Sequence, residues 1–127
     1  TRLLIDEKLL REVIVNLIQN AKAAVLSRVD EDGARVVVKS FVKQDNYILT
    51  VADNGCGMDN DTCDHVFEPY YTTKSNGTGL GLTTVYKIIK EFRGEISVTS
   101  ELKRGTVFTV SLPVPQKSTM LLKGGKK

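Results

Sequence analysis

The chain has 127 residues, of which 41% are hydrophobic, so it fits one domain with a substantial core. Its net charge of +3 gives little support to nucleic-acid binding, and no basic stripe precedes the last few residues. The apolar runs are too short to cross a membrane, and no signal peptide is evident. Cys56 and Cys63 have neither zinc-ligand spacing nor a disulfide framework, which indicates a reducing, cytoplasmic compartment.

A long amphipathic helix is predicted near the start of the chain, because Asp6 can cap a helix that begins at Glu7. Apolar residues then recur at steps of three and four, at Leu10, Val13, Ile14, Leu17, Ile18, Ala21, Ala24 and Val25. Glu12, Asn16 and Asn20 form a polar ridge beside this stripe. Since asparagine is a mediocre helix former, the ridge is either a solvated face or a row of oxygen ligands facing a cleft.

A hairpin of two strands is predicted next, from Arg35 to Val42 and from Tyr47 to Ala52. By the two-residue period of a strand, Leu49, Val51 and Asp53 share the face that packs on the helices. A buried charge without a partner is unfavourable, so the Asp53 carboxylate should meet a donor from the protein or from a ligand. The alternative is that Asp53 merely caps the turn that follows it.

The rest of the chain is predicted to hold a short helix, an irregular loop, a second amphipathic helix and two more strands. In chain order these cover residues 59–65, 67–78, 82–94, 95–100 and 106–112. This order favours an α/β two-layer sandwich, with a mixed, mainly antiparallel sheet and helices on one face, over a parallel dinucleotide-binding fold. We expect residues 1–113 to form the domain, with its first strand truncated, and residues 114–127 to form a flexible tail.

Two glycine-rich stretches lie on either side of the loop. The first is Asp53-Asn54-Gly55-Cys56-Gly57-Met58, and the second is Gly77-Thr78-Gly79-Leu80-Gly81-Leu82, which opens the second long helix. Glycine is needed where the backbone takes a positive φ or approaches a ligand closely, and a helix N-terminus favours phosphate. The arrangement therefore predicts a nucleotide pocket with a lid, although no Walker motif is present. Cys56 is interpreted as a small filler in the first turn, with a redox switch as the alternative.

Taken together, these segments resemble the ATP-binding catalytic domain of sensor histidine kinases, in the superfamily shared with gyrase, Hsp90 and MutL. The N, G1, F and G2 boxes of that family are matched in order by residues 16–21, 53–58, 67–74 and 77–82. The segment Gly105-Thr106-Val107-Phe108 resembles the closing strand, and the F box is similar to that of the nitrogen-regulator type. The resemblance covers nearly all of residues 6–112 and implies the Bergerat ATP-binding fold.

The resemblance implies a role for each matching residue in a Mg·ATP site. Asp53 would accept the adenine amino hydrogen, Gly57 would let the backbone approach the base, and Thr106 would act through a bridging water. Asn20 would hold Mg²⁺ through its amide oxygen, and Asn16 would support the phosphates or the metal shell. The remaining nucleotide contacts are expected from Ala23, Gly55, Met58, Phe67, Tyr71, Thr72, Thr73, Lys74, Gly77, Thr78, Gly79, Leu80, Gly81 and Leu82.

Two lysines are candidate phosphate contacts. Lys74 lies in the F box, and with Asn16 and Asn20 it forms the expected catalytic set. Lys22 is the second candidate, but the lysine of some relatives falls one position later, where this chain has Ala23. A solvated surface lysine therefore remains the alternative for Lys22.

The residue at position 16 separates two reaction classes. ATP-hydrolysing relatives carry a glutamate four residues before the metal-binding asparagine, whereas this chain has Asn16, and an amide cannot act as a base near neutral pH. The resemblance thus implies slow hydrolysis and transfer of the γ-phosphate to a histidine on a helical dimerisation domain of the same protein. A response regulator would then be the partner of the phosphorylated protein.

The only histidine in the sequence, His65, lies outside any such helical segment and is expected to be a surface residue at a helix end. We therefore expect a monomeric catalytic domain that contacts neither nucleic acid nor membrane and does not autophosphorylate alone. Two alternatives remain open from the sequence. One is a serine kinase of the anti-sigma type on the same fold, and the other is a nucleotide-sensing module without catalysis.

Overall fold

The computed structural model describes residues 7–26, 33–68 and 81–114. The elements in chain order are α1 (Glu7–Leu26), β1 (Val36–Lys43), β2 (Asn46–Asp53), α2 (Asn60–His65), α3 (Gly81–Glu91), β3 (Glu95–Glu101) and β4 (Gly105–Pro113). The predicted helices and strands all appear, with bounds that differ by only a few residues from those expected. The four strands form one sheet in the order β1-β2-β4-β3, and every described pairing is antiparallel.

The apolar stripe of α1 and the matching stripe of α3 form the helical layer over the sheet. Val13, Leu17 and Ala21 of α1 are buried because their spacing places them on one side of the helix. The core cluster also contains residues from α3, β2 and β4, namely Val85, Ile88, Ile89, Leu49, Val51, Phe108, Val110 and Leu112. The two-layer α/β architecture predicted from the sequence is therefore confirmed.

The central strands β2 and β4 place the polar end of the sheet beneath the helices. Along β2, Leu49, Val51 and Asp53 are buried in alternation, so the strand turns this face towards the core. Asp53 pairs with Thr106 of β4, and Thr106 pairs in turn with Ser100 of β3. Three polar residues thus form one row across three strands, and we call Asp53, Thr106 and Ser100 the polar row.

The edge strand β1 differs from its neighbours because both of its faces are exposed. Val37, Val38, Phe41 and Val42 each leave more than two fifths of their surface open to solvent. Just beyond β4, the Val114 N–H donates a hydrogen bond of 2.9 Å to the Asp45 carbonyl in the β1–β2 turn. This bond fastens Val114 to the β1–β2 turn at the end of the sheet.

Several expectations fall outside the described residues. These are the truncated first strand, the lid between Pro69 and Leu80, and the tail beyond Val114. Within the described ranges, no helix has the length and hydropathy needed to span a membrane.

Candidate functional site

Asp53 occupies the end of β2 on the helix-facing side, where only 8% of its surface is exposed. Its Oδ1 accepts a hydrogen bond of 2.8 Å from the Gly55 N–H, so the cap suggested by the sequence is confirmed. Its Oδ2 is also buried, and it accepts no hydrogen bond from any described residue. The local turn therefore fixes the orientation of the carboxylate and leaves one acceptor oxygen inside the protein.

The Ser100 hydroxyl links the polar row to the first glycine turn. Its Oγ accepts a hydrogen bond of 2.7 Å from the Met58 N–H and donates one of 3.0 Å to the Gly105 carbonyl. It also lies 2.7 Å from the Oγ1 of Thr106, which is 4% exposed. Sequence reasoning missed Ser100. The two-residue alternation along β3 could have indicated it, because this alternation places Ser100 on the same inward face as Ile96 and Val98.

The first glycine turn lies tightly between α1 and the β3–β4 turn. A Cβ on Gly55 would come within 2.5 Å of the Ala24 carbonyl carbon, and the Cys56 N–H donates to the Ala24 carbonyl at 3.3 Å. Gly57 has a φ of +73°, and a Cβ there would overlap the Glu101 carbonyl oxygen. Protein packing alone therefore requires both glycines.

Cys56 corrects one expectation. Its side chain is exposed, so it does not fill space inside the turn, and the filler interpretation is wrong. The backbone of Cys56 is what the fold uses, because its carbonyl accepts a hydrogen bond of 2.7 Å from the Lys103 N–H. Two residues before Cys56, the Asn54 side chain holds the segment that precedes β1. Its Oδ1 accepts from the Arg35 N–H and its Nδ2 donates to the Gly33 carbonyl, both at 2.7 Å.

The polar ridge of α1 meets the N-terminus of α3 at Asn16. The Nδ2 of Asn16 donates to the Glu12 carbonyl at 2.9 Å, which turns its Oδ1 the other way. A Cβ added to Gly81, the first residue of α3, would lie 3.1 Å from that Oδ1. The Asn16 amide oxygen is therefore held beside a helix N-terminus, where free N–H groups and the helix dipole favour anions.

Asn20 lies one turn beyond Asn16 on α1, half-buried, and one turn before Ala24. Because Ala24 contacts the glycine turn, Asn20 and the buried carboxylate of Asp53 are on the same side of the sheet. Ala23 is half-buried, whereas Lys22 is exposed, which agrees with the surface alternative for Lys22.

Phe67, the first residue of the F box, is anchored to the helical layer. Its ring centroid lies 5.4 Å from that of Tyr86 and 6.1 Å from that of Phe108, in a tilted and an edge-on arrangement. The Thr83 hydroxyl donates to the Phe67 carbonyl at 2.9 Å. Met58 and Leu82 also pack against the core. The chain therefore enters the predicted lid from a fixed point.

The short helix α2 carries the titrating groups near this entry. The Asp59 side chain accepts a hydrogen bond from the Thr62 N–H at 2.8 Å, and this bond lowers the pKa of the carboxyl. His65 Nδ1 lies 2.9 Å from the Asp61 carbonyl, and donation to that oxygen raises the pKa of the ring, with a further contribution from the negative charge of Glu68. His65 ends α2 at the surface, as predicted.

Among the described members of the predicted site, direct contacts join Asp53 with Gly55 and Thr106 at one end and Asn16 with Gly81 at the other, and Met58, Phe67 and Leu82 pack against the core. The described members are Asn16, Asn20, Ala23, Asp53, Gly55, Gly57, Met58, Phe67, Gly81, Leu82 and Thr106. The others lie outside the described residues, namely Tyr71, Thr72, Thr73, Lys74, Gly77, Thr78, Gly79 and Leu80. Within residues 7–26, 33–68 and 81–114, no three His, Cys, Asp or Glu side chains form a metal cluster.

Comparison with protein families assigns this fold and site to a class. Residues 5–116 match the family described as histidine kinase-, DNA gyrase B-, and HSP90-like ATPase. The chain therefore belongs to this ATPase family. Within the family, its relatives group it with the ATPase domains of sensor histidine kinases. The predicted family is confirmed.

Curated relatives and solved structures agree with this assignment. The chain is 44% identical over 108 residues to sporulation kinase E of Bacillus subtilis, covering 84% of the chain and 14% of that protein. It is 34% identical to the histidine-protein kinase AtoS of Escherichia coli, covering 86% of the chain and 17% of that protein. The chain thus spans about a sixth of these relatives.

Among solved structures, the catalytic domain of histidine kinase ThkA superposes with a TM-score of 0.72 at 28% identity. That match covers 86% of this chain and 68% of the ThkA chain. Full-length ShkA in complex with AMPPNP superposes with a TM-score of 0.73 at 27% identity, over 85% of this chain and 22% of ShkA.

Proposed function

We propose that this chain is the catalytic domain of a two-component sensor histidine kinase. It binds Mg·ATP and transfers the γ-phosphate to a histidine on a helical dimerisation domain of the same protein. The observation that carries this proposal is the position of the Asp53 carboxylate, buried at the end of β2 beside a glycine turn and on the same side of the sheet as Asn16 and Asn20.

The adenine ring is proposed to bind against the polar row. The Gly55 N–H fixes the Asp53 carboxylate through Oδ1, and Oδ2 would accept the amino hydrogen of adenine. Thr106 is next to Asp53 in the sheet and would act through a bridging water. The half-buried Met58 would bound the base plane, with Gly55, Gly57 and Ala23 completing this end of the site.

Magnesium is proposed to bind at Asn20, with Asn16 supporting the phosphates. Amide oxygens suit Mg²⁺, which prefers hard oxygen ligands and keeps several waters. The side-chain amide oxygens of Asn16 and Asn20 are ligands of this kind. The Asn16 Oδ1 is also directed towards the N-terminus of α3, where the phosphates are proposed to lie. When bound, the ion would neutralise phosphate charge as the γ-phosphoryl group is transferred.

The second glycine run and the F box are proposed to close over the phosphates. Gly77, Gly79 and Gly81 would cradle them at the start of α3, and Lys74 would contact them as a cation. The lid would begin at Phe67, whose ring is held by Tyr86 and Phe108. It would be completed by the adjoining residues Tyr71, Thr72, Thr73, Thr78, Leu80 and Leu82.

Transfer rather than rapid hydrolysis is proposed because the place of a water-activating carboxylate is taken by Asn16. The Asn16 side chain donates to a backbone carbonyl and offers no basic group. Catalysis would therefore rest on positioning of the γ-phosphate and on charge neutralisation.

The wider context of the domain is also part of the proposal. The phosphorylated protein would serve a response regulator in the cytoplasm, and the domain by itself would be a monomer. Residues 1–113 would constitute the catalytic unit, and residues 114–127 a tail or connection.

Phosphotransfer to a separate acceptor tests the proposal. The chain would be mixed with Mg·[γ-³²P]ATP and a separately produced helical dimerisation segment that carries a phosphoacceptor histidine. We expect acid-labile label on the segment only when both proteins are present, and none when the acceptor histidine is replaced by glutamine. Acid-stable label on serine would favour the anti-sigma alternative. ATP binding without transfer to any acceptor would favour the sensor alternative.

A further inference from the structure

The Ser100 hydroxyl makes three close polar contacts although it has only one hydrogen. Its partners are the Met58 N–H at 2.7 Å, the Gly105 carbonyl at 3.0 Å and the Thr106 hydroxyl at 2.7 Å. A serine hydroxyl offers one donor and two acceptor lone pairs, so these three contacts use its whole capacity.

The direction of each bond follows from the chemistry of the partners. The Met58 N–H can only donate, so it occupies one lone pair of Ser100 Oγ. The Gly105 carbonyl can only accept, so it takes the single Ser100 hydrogen. The contact between the two hydroxyls is compatible with either atom as donor, and assigning the Ser100 hydrogen to the Gly105 carbonyl makes the Thr106 hydroxyl the donor into the second lone pair of Ser100.

This assignment gives Thr106 a fixed polarity. Its one hydrogen is directed along the sheet to Ser100, on the side away from Asp53. The Oγ1 atom can then offer only lone pairs to a ligand. Asp53 Oδ2, in the neighbouring position of the same row, is likewise an acceptor. The two residues would therefore present two acceptors and no hydroxyl donor.

We propose that Ser100 is a positioning residue that makes Thr106 a hydrogen-bond acceptor and thereby favours adenine over purines with a carbonyl at position six. This inference rests on the proposed function, because it assumes that the base lies against the polar row. An amino group at position six can donate its hydrogens to the acceptors presented by Asp53 and Thr106. A carbonyl oxygen there would face acceptors and lose its hydrogen bond to water without replacement.

Binding of two diphosphates to a set of serine variants tests the inference. Titration calorimetry would compare ADP with inosine diphosphate, which has a carbonyl at position six, for the unaltered chain, Ser100→Ala and Ser100→Thr. Ser97→Ala is the matched control, because Ser97 lies on the same strand with its side chain exposed on the other face.

We expect Ser100→Ala to weaken ADP binding by about fivefold to thirtyfold, since the Met58 N–H loses its acceptor and Thr106 is released. Inosine diphosphate should be weakened less, because the released Thr106 hydroxyl can donate to the bridging water, and that water is then free to donate a hydrogen to the carbonyl. The preference for ADP should therefore fall by about threefold or more. Ser100→Thr, which keeps a hydroxyl, should retain the preference, and Ser97→Ala should leave both affinities unchanged.

The possible outcomes distinguish failure of the role of Ser100 from failure of the proposed nucleotide-binding function. Equal weakening of both nucleotides by Ser100→Ala, or loss of the preference in Ser100→Thr as well, would overturn the role of Ser100 and leave the proposed function standing. Failure of the unaltered chain to bind ADP would overturn the function itself. If Ser100→Ala does not fold, Ser100→Cys supplies the same comparison, because a thiol of similar size is only a weak donor and acceptor.

Discussion

The two ends of the candidate site are built in different ways. At the adenine end, the turn from Asn54 to Met58 is held by contacts with Ala24, Ser100 and the β3–β4 turn, so its glycines satisfy the protein's own packing. At the proposed phosphate end, a Cβ added to Gly81 would meet only the tip of the Asn16 side chain within 4 Å, counting the described residues outside its own helix backbone. Gly55 and Gly57 are therefore required by backbone packing, whereas the space beside Gly81 is limited by a polar side chain.

This difference indicates where rigidity is needed. A base is recognised by hydrogen bonds of fixed direction, which a preorganised turn supplies without further ordering. A phosphate chain with its metal ion must enter and leave, so contacts made by single side chains suit that end better. Substitutions at the two ends should therefore have different consequences for stability and for binding.

Gly57→Ala should destabilise the whole domain. A Cβ at a φ of +73° is strained, and it would also overlap the Glu101 carbonyl oxygen, so we expect a loss of about 3 kcal/mol or more in the free energy of unfolding. Urea denaturation measures this loss. The control is Gly33→Ala, where a Cβ meets no atom of the described residues within 4 Å, and its change should stay within about 0.5 kcal/mol. Equal effects at both positions would remove the contrast between them.

Asp53→Asn should weaken ATP binding by about 1–3 kcal/mol, because an acceptor for the adenine amine becomes partly a donor. The asparagine keeps an oxygen for the Gly55 N–H, so the turn is preserved and the effect is on the ligand. Titration calorimetry gives the affinity. Asp45→Asn, at an exposed position in the β1–β2 turn, is the matched charge control. Unchanged affinity in Asp53→Asn would exclude Asp53 from the adenine site.

Gly81→Ala should change stability by no more than about 1 kcal/mol, since the added methyl lies 3.1 Å from a side-chain atom that can shift. It should nevertheless displace the Asn16 amide and weaken Mg·ATP by about threefold, with less effect on metal-free ADP. Calorimetry with each ligand separates the two. In an Asn16→Ala background the Gly81→Ala effect should largely disappear, and full additivity would show that the two residues act independently.

The smallest effect concerns His65, at the end of α2. Because its pKa is raised in the folded state, chiefly by donation to the Asp61 carbonyl, protonation stabilises the fold. That contribution is fully present below the ordinary value of 6.5 and is lost as the pH rises through the raised value. An NMR titration of the ring should show the raised pKa. In His65→Gln, this part of the pH dependence of thermal stability should vanish, and its persistence would assign it to another group.

The sequence was sufficient for the architecture because the periodicities were clear. The stripe of α1 and the alternation of β2 each imply a buried face, and joining those faces yields the two-layer sandwich. Asp53 was also predictable, since a carboxylate in phase with Leu49 and Val51 must lie at the edge of the core.

Other features depend on contacts between distant parts of the chain. The role of Ser100 arises from Met58, 42 residues earlier, and from Thr106 across the sheet, so no local pattern reveals it. The valine-rich strand β1 gives no sign in its sequence that both of its faces stay exposed at the sheet edge. The exposed side chain of Cys56 likewise follows from the path of the turn, in which only the backbone is used.

The adenine and metal sites are tested together by an amide chemical-shift map of the chain titrated with ADP, first without and then with Mg²⁺. We expect ADP to shift residues 53–58, Ser100 and Thr106, and Mg²⁺ then to shift the side-chain amides of Asn16 and Asn20. Strand β1 should stay unchanged throughout. Shifts confined to β1, or none at the polar row, would contradict the assignment of the adenine site.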